Sequence, residues 1–511
     1  MTKPWTRFAA ALAATLALTL DAAAHGPLLS AEQLAARLAG GDPSLVLDTS
    51  PPPMYAAGHI AGAVPVDVFS YAAGTLTPAQ AAQRFQSWGL SPGRAVVITD
   101  QGASYMATHL YYELYRQGFP MEQVFVLDGG TARWKATGGA MTTAPTAAPT
   151  AGSFTPTLGH DAEVRGSLDE AVTASGDPAG HALVDALEPA YYYGERNFFG
   201  RAGHLPNARL WPSADFFNAD KTFKPRAEIA RMRDQLGIRP EQEVQVYCGG
   251  GVAASVPFFA LKFLLEQPRV KLFAGSQQAW LRDERGLPMW TYAAPALLRD
   301  MQWLSGWNTA MTRAFGVARI SVIDVRSAEA FAQGHLPFAQ NLPAALLRAH
   351  RAEPEKLAAL LASAGVKAAD EAVIVGSGGL DRDTALAFAL LERQGQQRVS
   401  VLVDSVEDWA FAGLPLEKTA LPVKAVARAA PEPSGPGGSA AGATPVRLPY
   451  AALLDTQHRP QPARTLWQLL DKAGVPRYAP VSVQADDPGE VALGYLILKL
   501  MGYAAVRPDH I

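Results

Sequence analysis

Short runs of mostly apolar residues alternate along the chain with longer segments in which apolar residues recur at helical spacing. Three such pairs of run and helical segment are 95–99 with 103–117, 244–247 with 253–266, and 372–375 with 383–393. Runs of four or five residues with little polar alternation are typical of strands buried on both faces, and neighbouring parallel strands need a helical crossover. The pattern therefore predicts an α/β fold in which parallel sheets are flanked by helices.

One combination of motifs occurs three times. Each copy has a β-rich run ending in Asp, then a Gly-His-Ile/Leu turn, and later a strand, a small-residue turn and a Trp. The aspartates are Asp48, Asp185 and Asp324, the turns lie at 58–63, 203–208 and 334–339, and the tryptophans are Trp134, Trp280 and Trp409. The intervals from the turn glycine to the tryptophan are 76, 77 and 75 residues. Chance rarely produces such agreement, so three complete copies of one module are predicted.

A partial fourth copy is predicted at the C-terminal end, because 481–483 and 491–501 resemble the central strand and helix of the other copies. We expect this copy to lack the opening strand and the closing strand. The predicted organisation is a signal peptide at 1–24, modules at 27–142, 160–292 and 318–418, a helical connector at 295–317, a linker at 421–444 and the partial module at 445–511.

The N-terminal residues have the pattern of a secretion signal. Lys3 and Arg7 lead into a thirteen-residue apolar run at 8–20, and the small residues 22–24 suit cleavage before His25. Such a run spans about 20 Å as a helix, against about 30 Å for a hydrocarbon core, which argues against the alternative of an uncleaved anchor. The richness in Ala, Gly and Pro suggests a bacterial source. We therefore predict a periplasmic or secreted protein with no stable membrane span after cleavage.

Composition, net charge and the motifs that are missing argue against several classes of function. Of 511 residues, 49% are hydrophobic and 18% charged, which is typical of a globular chain divided into several domains. The formal net charge of −3 gives no electrostatic reason to expect nucleic acid or an anionic membrane as a partner. The spacing of His and Cys does not match a metal site, and no phosphate-binding loop with Lys occurs, so neither a metal nor a cofactor is predicted.

Cys248 is the only cysteine in the chain. Each copy has one equivalent position at the end of its central strand, 42, 45 and 42 residues after the turn glycine. These positions hold Asp100, Cys248 and Gly376, and the matching residue of the partial copy is Ala485. Because Cys248 has no second cysteine to pair with, it cannot form an intramolecular disulfide even in an oxidising compartment. Four equivalent positions therefore contain one candidate nucleophile.

The residues after Cys248 favour a reactive thiol over the alternative of an inert buried cysteine. They are Gly249, Gly250, Gly251, Val252 and Ala253. Glycines allow successive backbone N–H groups to point inward, and the start of a helix adds positive potential. Such a setting is expected to stabilise a thiolate and to bind the charge of a reaction intermediate.

The succession of strand-end Asp, Gly-His turn, Cys loop and Asp-Gly-Gly-x-x-x-Trp resembles rhodanese domains. The first two copies resemble tandem thiosulfate and 3-mercaptopyruvate sulfurtransferases, in which the first domain is inactive and the second carries the cysteine. The resemblance implies that Cys248 takes sulfane sulfur from a small donor, becomes a persulfide and passes the sulfur to cyanide or a thiol. A protein is an alternative acceptor.

The donor is less well defined by the sequence. The loop resembles the Cys-Gly-x-Gly-Val-Thr of mercaptopyruvate enzymes, but Ala253 stands at the Thr position and Leu187 where many relatives have a substrate-binding Arg. Arg196 and Arg201 are the candidate replacements for binding an anionic donor. The alternative is that both are solvated surface arginines.

Two other functions fit parts of the pattern. The nearest enzymatic alternative is a Cys-dependent phosphatase or arsenate reductase. A phosphatase would need a loop that closes on an Arg, whereas Ala254 and Ser255 follow this loop. A periplasmic sulfur carrier or binding scaffold with little turnover is the stronger alternative, since three positions lack cysteine. The turn histidines His59, His204 and His335 also occur in copies without cysteine, so we expect them to be structural, like the strand-end aspartates.

Overall fold

The computed structural model describes residues 26–71, 76–419, 422–428, 442–508 and 511. The predicted signal peptide and most of the predicted linker at 421–444 lie outside these residues. In the part of the chain that is described, no helix is both long and apolar enough to cross a bilayer.

The first sheet region contains seven strands. They are β1 (Leu28–Leu29), β2 (Leu45–Asp48), β3 (His59–Ile60), β4 (Val64–Pro65), β5 (Val96–Thr99), β6 (Val124–Leu127) and β7 (Met141–Thr142). Five of them form a parallel sheet in the order β1-β6-β5-β2-β4, and β3 pairs antiparallel with β7. The helices are α1 (Ala31–Ala39), α2 (Pro52–Ala57), α3 (Pro78–Ser87), α4 (Met106–Arg116) and α5 (Gly130–Ala136).

The second sheet is parallel and has the same order as the first. Its strands are β8 (Arg165–Gly166), β9 (His181–Asp185), β10 (Arg209–Leu210), β11 (Glu243–Tyr247) and β12 (Val270–Phe273), in the order β8-β12-β11-β9-β10. Its helices are α6 (Asp161–Val164), α7 (Leu168–Gly176), α8 (Pro189–Tyr192), α9 (Arg226–Gln235), α10 (Ser255–Phe259) and α11 (Ser276–Arg282). The helix predicted at 253–266 begins at Ser255 and continues beyond α10 as a π-helical turn at Ala260–Leu264.

The third sheet repeats the order again. Its strands are β13 (Leu298–Arg299), β14 (Ile320–Asp324), β15 (Gln340–Asn341), β16 (Glu371–Val375) and β17 (Arg398–Leu402), in the order β13-β17-β16-β14-β15. Its helices are α12 (Met301–Trp307), α13 (Ala310–Ala314), α14 (Ala328–Gln333), α15 (Ala344–Ala349), α16 (Pro354–Ser363), α17 (Arg382–Arg393) and α18 (Val406–Phe411). The predicted helical connector at 295–317 contains the helices α12 and α13, but it is also part of this sheet, because β13 within it pairs with β17.

The C-terminal region forms a three-stranded parallel sheet. Its elements are β18 (Thr444–Val446), α19 (Tyr450–Leu453), α20 (Ala463–Lys472), β19 (Val481–Val483), α21 (Pro488–Leu500) and β20 (Val506–Arg507). We expected the opening and closing strands to be missing, and this was wrong. β18 pairs directly with the central strand β19, as the opening strand does in each larger sheet, and β20 pairs on its other side. α21 packs along α17, so the last two sheets share an apolar core.

The predicted α/β fold with parallel sheets flanked by helices is confirmed, and its physical cause is visible in the central strands. All residues of β2, β5 and β16 are buried, as expected for strands covered by helices on both faces. In the first two regions α4 packs against α10. The Thr108 and Ser255 hydroxyls are 2.8 Å apart across this contact, and the Tyr111 and Phe259 rings meet edge to face at 5.0 Å.

The three turn histidines have one structural role. Each is buried, and its Nδ1 lies 2.8–3.0 Å from the carbonyl oxygen of the aromatic residue on which its ring stacks. The stacked pairs are Tyr55 with His59, Tyr192 with His204, and Phe331 with His335, at centroid distances of 3.8, 3.5 and 3.7 Å. Because the arrangement is the same in regions with and without a cysteine, it holds the turn in place and does not mark a reactive centre.

Candidate active site

Cys248 follows β11 directly, at the carboxyl end of the central strand, where parallel α/β sheets commonly bind ligands. Its backbone N–H donates to the Ser276 hydroxyl at 3.1 Å, which ties the start of the loop to α11. The Gly251 N–H donates to the Cys248 Sγ at 3.1 Å. The thiol is therefore held inside a loop whose amide groups face the sulfur.

Among the loop glycines, Gly251 is the one whose position requires glycine. Its φ is +94°, a conformation that L side chains rarely adopt, and a Cβ there would overlap the Ala274 carbonyl oxygen. By contrast, a Cβ on Gly250 would meet nothing within 4 Å. Close approach of the loop to the end of β12 thus depends on Gly251, and this approach places its N–H against the sulfur.

Burial controls the protonation of Cys248. The residue is 3% exposed, and burial raises the pKa of the thiol above its ordinary value. The N–H groups of Ala254, Gly251 and Gly250 lower the pKa, as the sequence analysis anticipated, while the charge of Asp185 raises it. The expected net stabilisation of the thiolate was wrong in direction, since desolvation of the sulfur outweighs the loop amides in the ligand-free protein.

This balance predicts the pH dependence of Cys248 reactivity. Only the thiolate attacks an alkylating agent, so below the thiol pKa the rate of modification by iodoacetamide should rise about tenfold per pH unit. Because the pKa is raised, the rise should continue to a higher pH in the folded protein than in the same protein denatured in urea. The chain has one cysteine, so total label reports this site alone. A plateau near neutral pH in the folded protein would contradict the electrostatic account.

A cavity of about 740 Å³ opens beside Cys248. It is lined by the loop and by residues of both the first and the second sheet regions, which places the thiol between the two. The aromatic residues of its wall are Phe69, Tyr105, Tyr191, Phe198, Phe199 and Phe217. Tyr191 and Phe198 stack at 4.2 Å, and Phe198 lies over Gly249. The cavity is larger than a small inorganic donor requires, and most of its wall is apolar.

The sequence analysis missed the contribution of the first region. Ser104 and Tyr105 line the cavity from the segment before α4, and the charge of Cys248 adds to the raised pKa of the Tyr105 phenol, whose main cause is burial. The Ser255 hydroxyl donates to the Tyr105 carbonyl at 3.1 Å and so joins the two regions next to the loop. The sequence contains one indication of this contribution: Tyr105 lies five residues after Asp100, in the segment of the first copy that corresponds to the Cys248 loop.

The two candidate arginines lie in different places. Arg196 lines the cavity, together with Glu188, Leu187 and Ala253. Arg201 does not line it, and its guanidinium donates to the Leu287 carbonyl at 2.9 Å. Among the described residues of the cavity wall, Arg196 is the only basic one, and it is exposed to solvent, so its guanidinium is available to an anionic ligand.

In the first sheet region, Asp100 occupies the position equivalent to Cys248. The buried carboxylate of Asp100 accepts the Gly102 N–H at 2.7 Å and the Ala107 N–H at 3.1 Å. The Asp100 carboxyl group is thus hydrogen-bonded to one loop N–H and to one N–H at the start of α4, while burial raises its pKa above the ordinary value. Gly376 and Ala485 offer no nucleophile, and within the described residues no cluster of three His, Cys, Asp or Glu could hold a metal ion.

Comparison with known proteins agrees with the repeated architecture. The family model of the rhodanese-like domain matches residues 30–137 and 309–412. A Pseudomonas aeruginosa protein described as a probable 3-mercaptopyruvate sulfurtransferase is 33% identical over 282 residues, which cover 50% of this chain and 96% of that protein. The sulfur carrier protein TtuD of Thermus thermophilus is 28% identical over 247 residues, covering 44% of this chain and 84% of its own.

Among solved structures, an anaerobic ergothioneine biosynthesis enzyme from Chlorobium limicola matches with a TM-score of 0.46 and 22% identity, over 52% of this chain and 70% of that chain. That likeness carries no information about chemistry. The sequence matches do, because one relative is matched at 33% identity over nearly its full length. Together with the repeated parallel sheets and the loop around Cys248, they show that the chain belongs to the rhodanese-like sulfurtransferase family.

Proposed function

We propose that the protein is a sulfurtransferase in which Cys248 carries sulfane sulfur, as a persulfide, from thiosulfate or 3-mercaptopyruvate to a thiophilic acceptor. The observation that carries the proposal is the sulfur of a single cysteine, held at a strand end by the Gly251 N–H at the wall of a cavity. The proposal includes three complete modules and a partial fourth, of which only the second has a nucleophile, and export from a bacterial cell.

The sulfur is transferred in two steps, and atoms and electrons balance in each. With thiosulfate, the Cys248 thiolate attacks the outer sulfur, the S–S bond of the donor breaks, and sulfite leaves with the electron pair. With 3-mercaptopyruvate, the C–S bond breaks and the carbon takes a proton to give pyruvate. An acceptor such as cyanide then attacks the outer sulfur of the persulfide, so thiocyanate forms and the thiolate is regenerated. Loop N–H groups would stabilise the negative charge in both steps, as an oxyanion hole does.

Asp100 supports the electrostatic part of this proposal. Its carboxyl group accepts the N–H of Gly102 in the loop and the N–H of Ala107 at the start of α4, in the position that Cys248 occupies in the second region. A cysteine persulfide at Cys248 would similarly present negative charge to the N–H groups of Gly250, Gly251 and Ala254, which already lower the pKa of the thiol. The loop is therefore suited to the charged intermediate, even though burial disfavours the thiolate of the resting protein.

Arg196 is the proposed anchor for an anionic donor. Replacing it with methionine should raise the KM for thiosulfate about tenfold with a smaller change in kcat, because a charged hydrogen bond contributes about 1.5–3 kcal/mol. The matched control is Arg201→Met, whose guanidinium lies outside the cavity and should leave the KM within about twofold of wild type. Equal effects of the two substitutions on KM would remove Arg196 from the binding site.

A sulfur carrier with slow turnover is the second candidate. Two observations favour it: a matched relative is named a sulfur carrier protein, and the buried thiol has a raised pKa. The cavity also has room for part of a protein acceptor. A carrier would form the persulfide from the donor but release it slowly to cyanide, and faster to a partner protein. Comparing the rate of persulfide formation with the rate of thiocyanate production separates the two functions.

A further inference from the structure

A second cavity, of about 210 Å³, lies between the second sheet region and the C-terminal region. Arg209 of β10 and Arg477, from the segment between α20 and β19, both line it, and Tyr192, Tyr193 and Tyr503 contribute aromatic walls. None of its described lining residues also lines the cavity beside Cys248. It is therefore a separate space, and the sulfur-transfer proposal assigns it no role.

The wall of this cavity carries two positive charges, those of Arg209 and Arg477. Its described lining contains these two arginines and no Asp or Glu. Among the described residues, neither Arg209 nor Arg477 forms an ion pair, and the Arg209 Nη1 is buried without a hydrogen-bond partner. Arg239 lies close enough that its charge adds to burial in lowering the pKa of Arg209.

The neighbouring groups neutralise only part of the positive charge of these two arginines. Arg477 interacts with the Tyr193 side chain, whose hydroxyl donates to the Met501 carbonyl at 2.9 Å. Asp215 attracts Arg477 but is not part of the wall, and it accepts a hydrogen bond from the Tyr478 hydroxyl at 2.5 Å. The Gln235 side-chain oxygen is also buried without a partner. Rotation of this amide group by 180° would place its two N–H donors where the oxygen now lies.

An unpaired guanidinium in a partly enclosed space is unfavourable, because Arg stays protonated and loses water without gaining a counter-charge. We propose that this cavity binds a small inorganic oxyanion, of the tetrahedral class that includes sulfate, thiosulfate and phosphate. Two guanidinium groups offer several N–H donors in the planar arrangement that suits such oxygens. The volume accommodates one such ion with a few waters.

Binding is tested by titrating sulfate, thiosulfate and phosphate into the purified protein at constant ionic strength, with chloride as the balancing salt. Isothermal titration calorimetry and the thermal unfolding midpoint are the two readouts. We expect saturable binding of at least one of these ions and an unfolding midpoint that rises with its concentration. Comparison of sulfate and thiosulfate with phosphate shows whether the site prefers sulfur oxyanions. Thiosulfate is also titrated into Cys248→Ala, so that reaction at the thiol does not contribute.

Arg209→Met is the decisive variant, because it removes the guanidinium that has an unpaired buried nitrogen. It should weaken anion binding about tenfold or more. In chloride alone the unfolding midpoint of Arg209→Met should equal or exceed that of wild type, since an unpaired charge has been removed. An undiminished midpoint shows that weaker anion binding in this variant is not caused by loss of the fold. Arg226→Met is the control, because Arg226 is a surface residue paired with Glu266. Absence of saturable binding to wild type, or undiminished binding to Arg209→Met, would overturn the proposal.

Discussion

Cys248→Ser is expected to lower thiocyanate formation from thiosulfate and cyanide by about 1,000-fold or more, with the same loss when 3-mercaptopyruvate is the donor. A hydroxyl ionises at far higher pH than a thiol, so serine cannot supply the nucleophile or hold a persulfide. The other copies cannot substitute, since their equivalent positions hold Asp100, Gly376 and Ala485. Steady-state rates with both donors measure the effect.

The fold should survive this substitution. A serine hydroxyl is smaller than the thiol and can accept the Gly251 N–H that Cys248 Sγ accepts at 3.1 Å. The matched control is Ala485→Ser, which adds a hydroxyl at the corresponding position of the C-terminal region and should leave activity unchanged. Retention of more than about a tenth of wild-type activity in folded Cys248→Ser would exclude the covalent mechanism.

Gly251→Ala is expected to destabilise the second sheet region by about 2–4 kcal/mol and to reduce sulfur transfer strongly. The new Cβ would overlap the Ala274 carbonyl oxygen, and alanine is strained at a φ of +94°. Relief of the overlap must move the loop away from β12 and take the Gly251 N–H away from the sulfur. Calorimetric unfolding and the rate of persulfide formation measure the two effects.

Gly250→Ala is the control for this prediction. It makes the same chemical change one residue earlier, where a Cβ meets nothing within 4 Å. Its stability should stay within about 1 kcal/mol of wild type. If Gly250→Ala and Gly251→Ala had the same effect on stability, the close approach of the loop to β12 would not be what positions its amide groups.

The sequence predicted the features that repeat. Buried strands such as β5 and β16 are continuous apolar runs, so their burial and parallel pairing follow from local pattern. The similar intervals from each turn glycine to the strand-end position, 42, 45 and 42 residues, located Cys248 at a strand end, where the structure has it. Strands of two or three residues have no periodicity, which explains why β13, β18 and β20 were missed.

The parts of the site that depend on packing between regions were not predictable in this way. Tyr105 reaches the cavity because α4 packs against α10, and no local pattern reports that contact. Arg196 and Arg201 are indistinguishable by spacing, yet only Arg196 lines the cavity. The direction of the Cys248 pKa shift likewise depends on how completely the sulfur is desolvated, whereas the sequence shows only the loop glycines that oppose it.

The central claim is that Cys248 carries the transferred sulfur. The most direct test is intact-mass analysis of the purified protein after brief incubation with thiosulfate or 3-mercaptopyruvate, followed by peptide mapping and then by addition of cyanide. The account predicts a gain of one sulfur atom on the peptide containing Cys248, its loss when cyanide is added, and no gain in Cys248→Ser. An unmodified Cys248 during turnover, or an equal mass gain in Cys248→Ser, would contradict it.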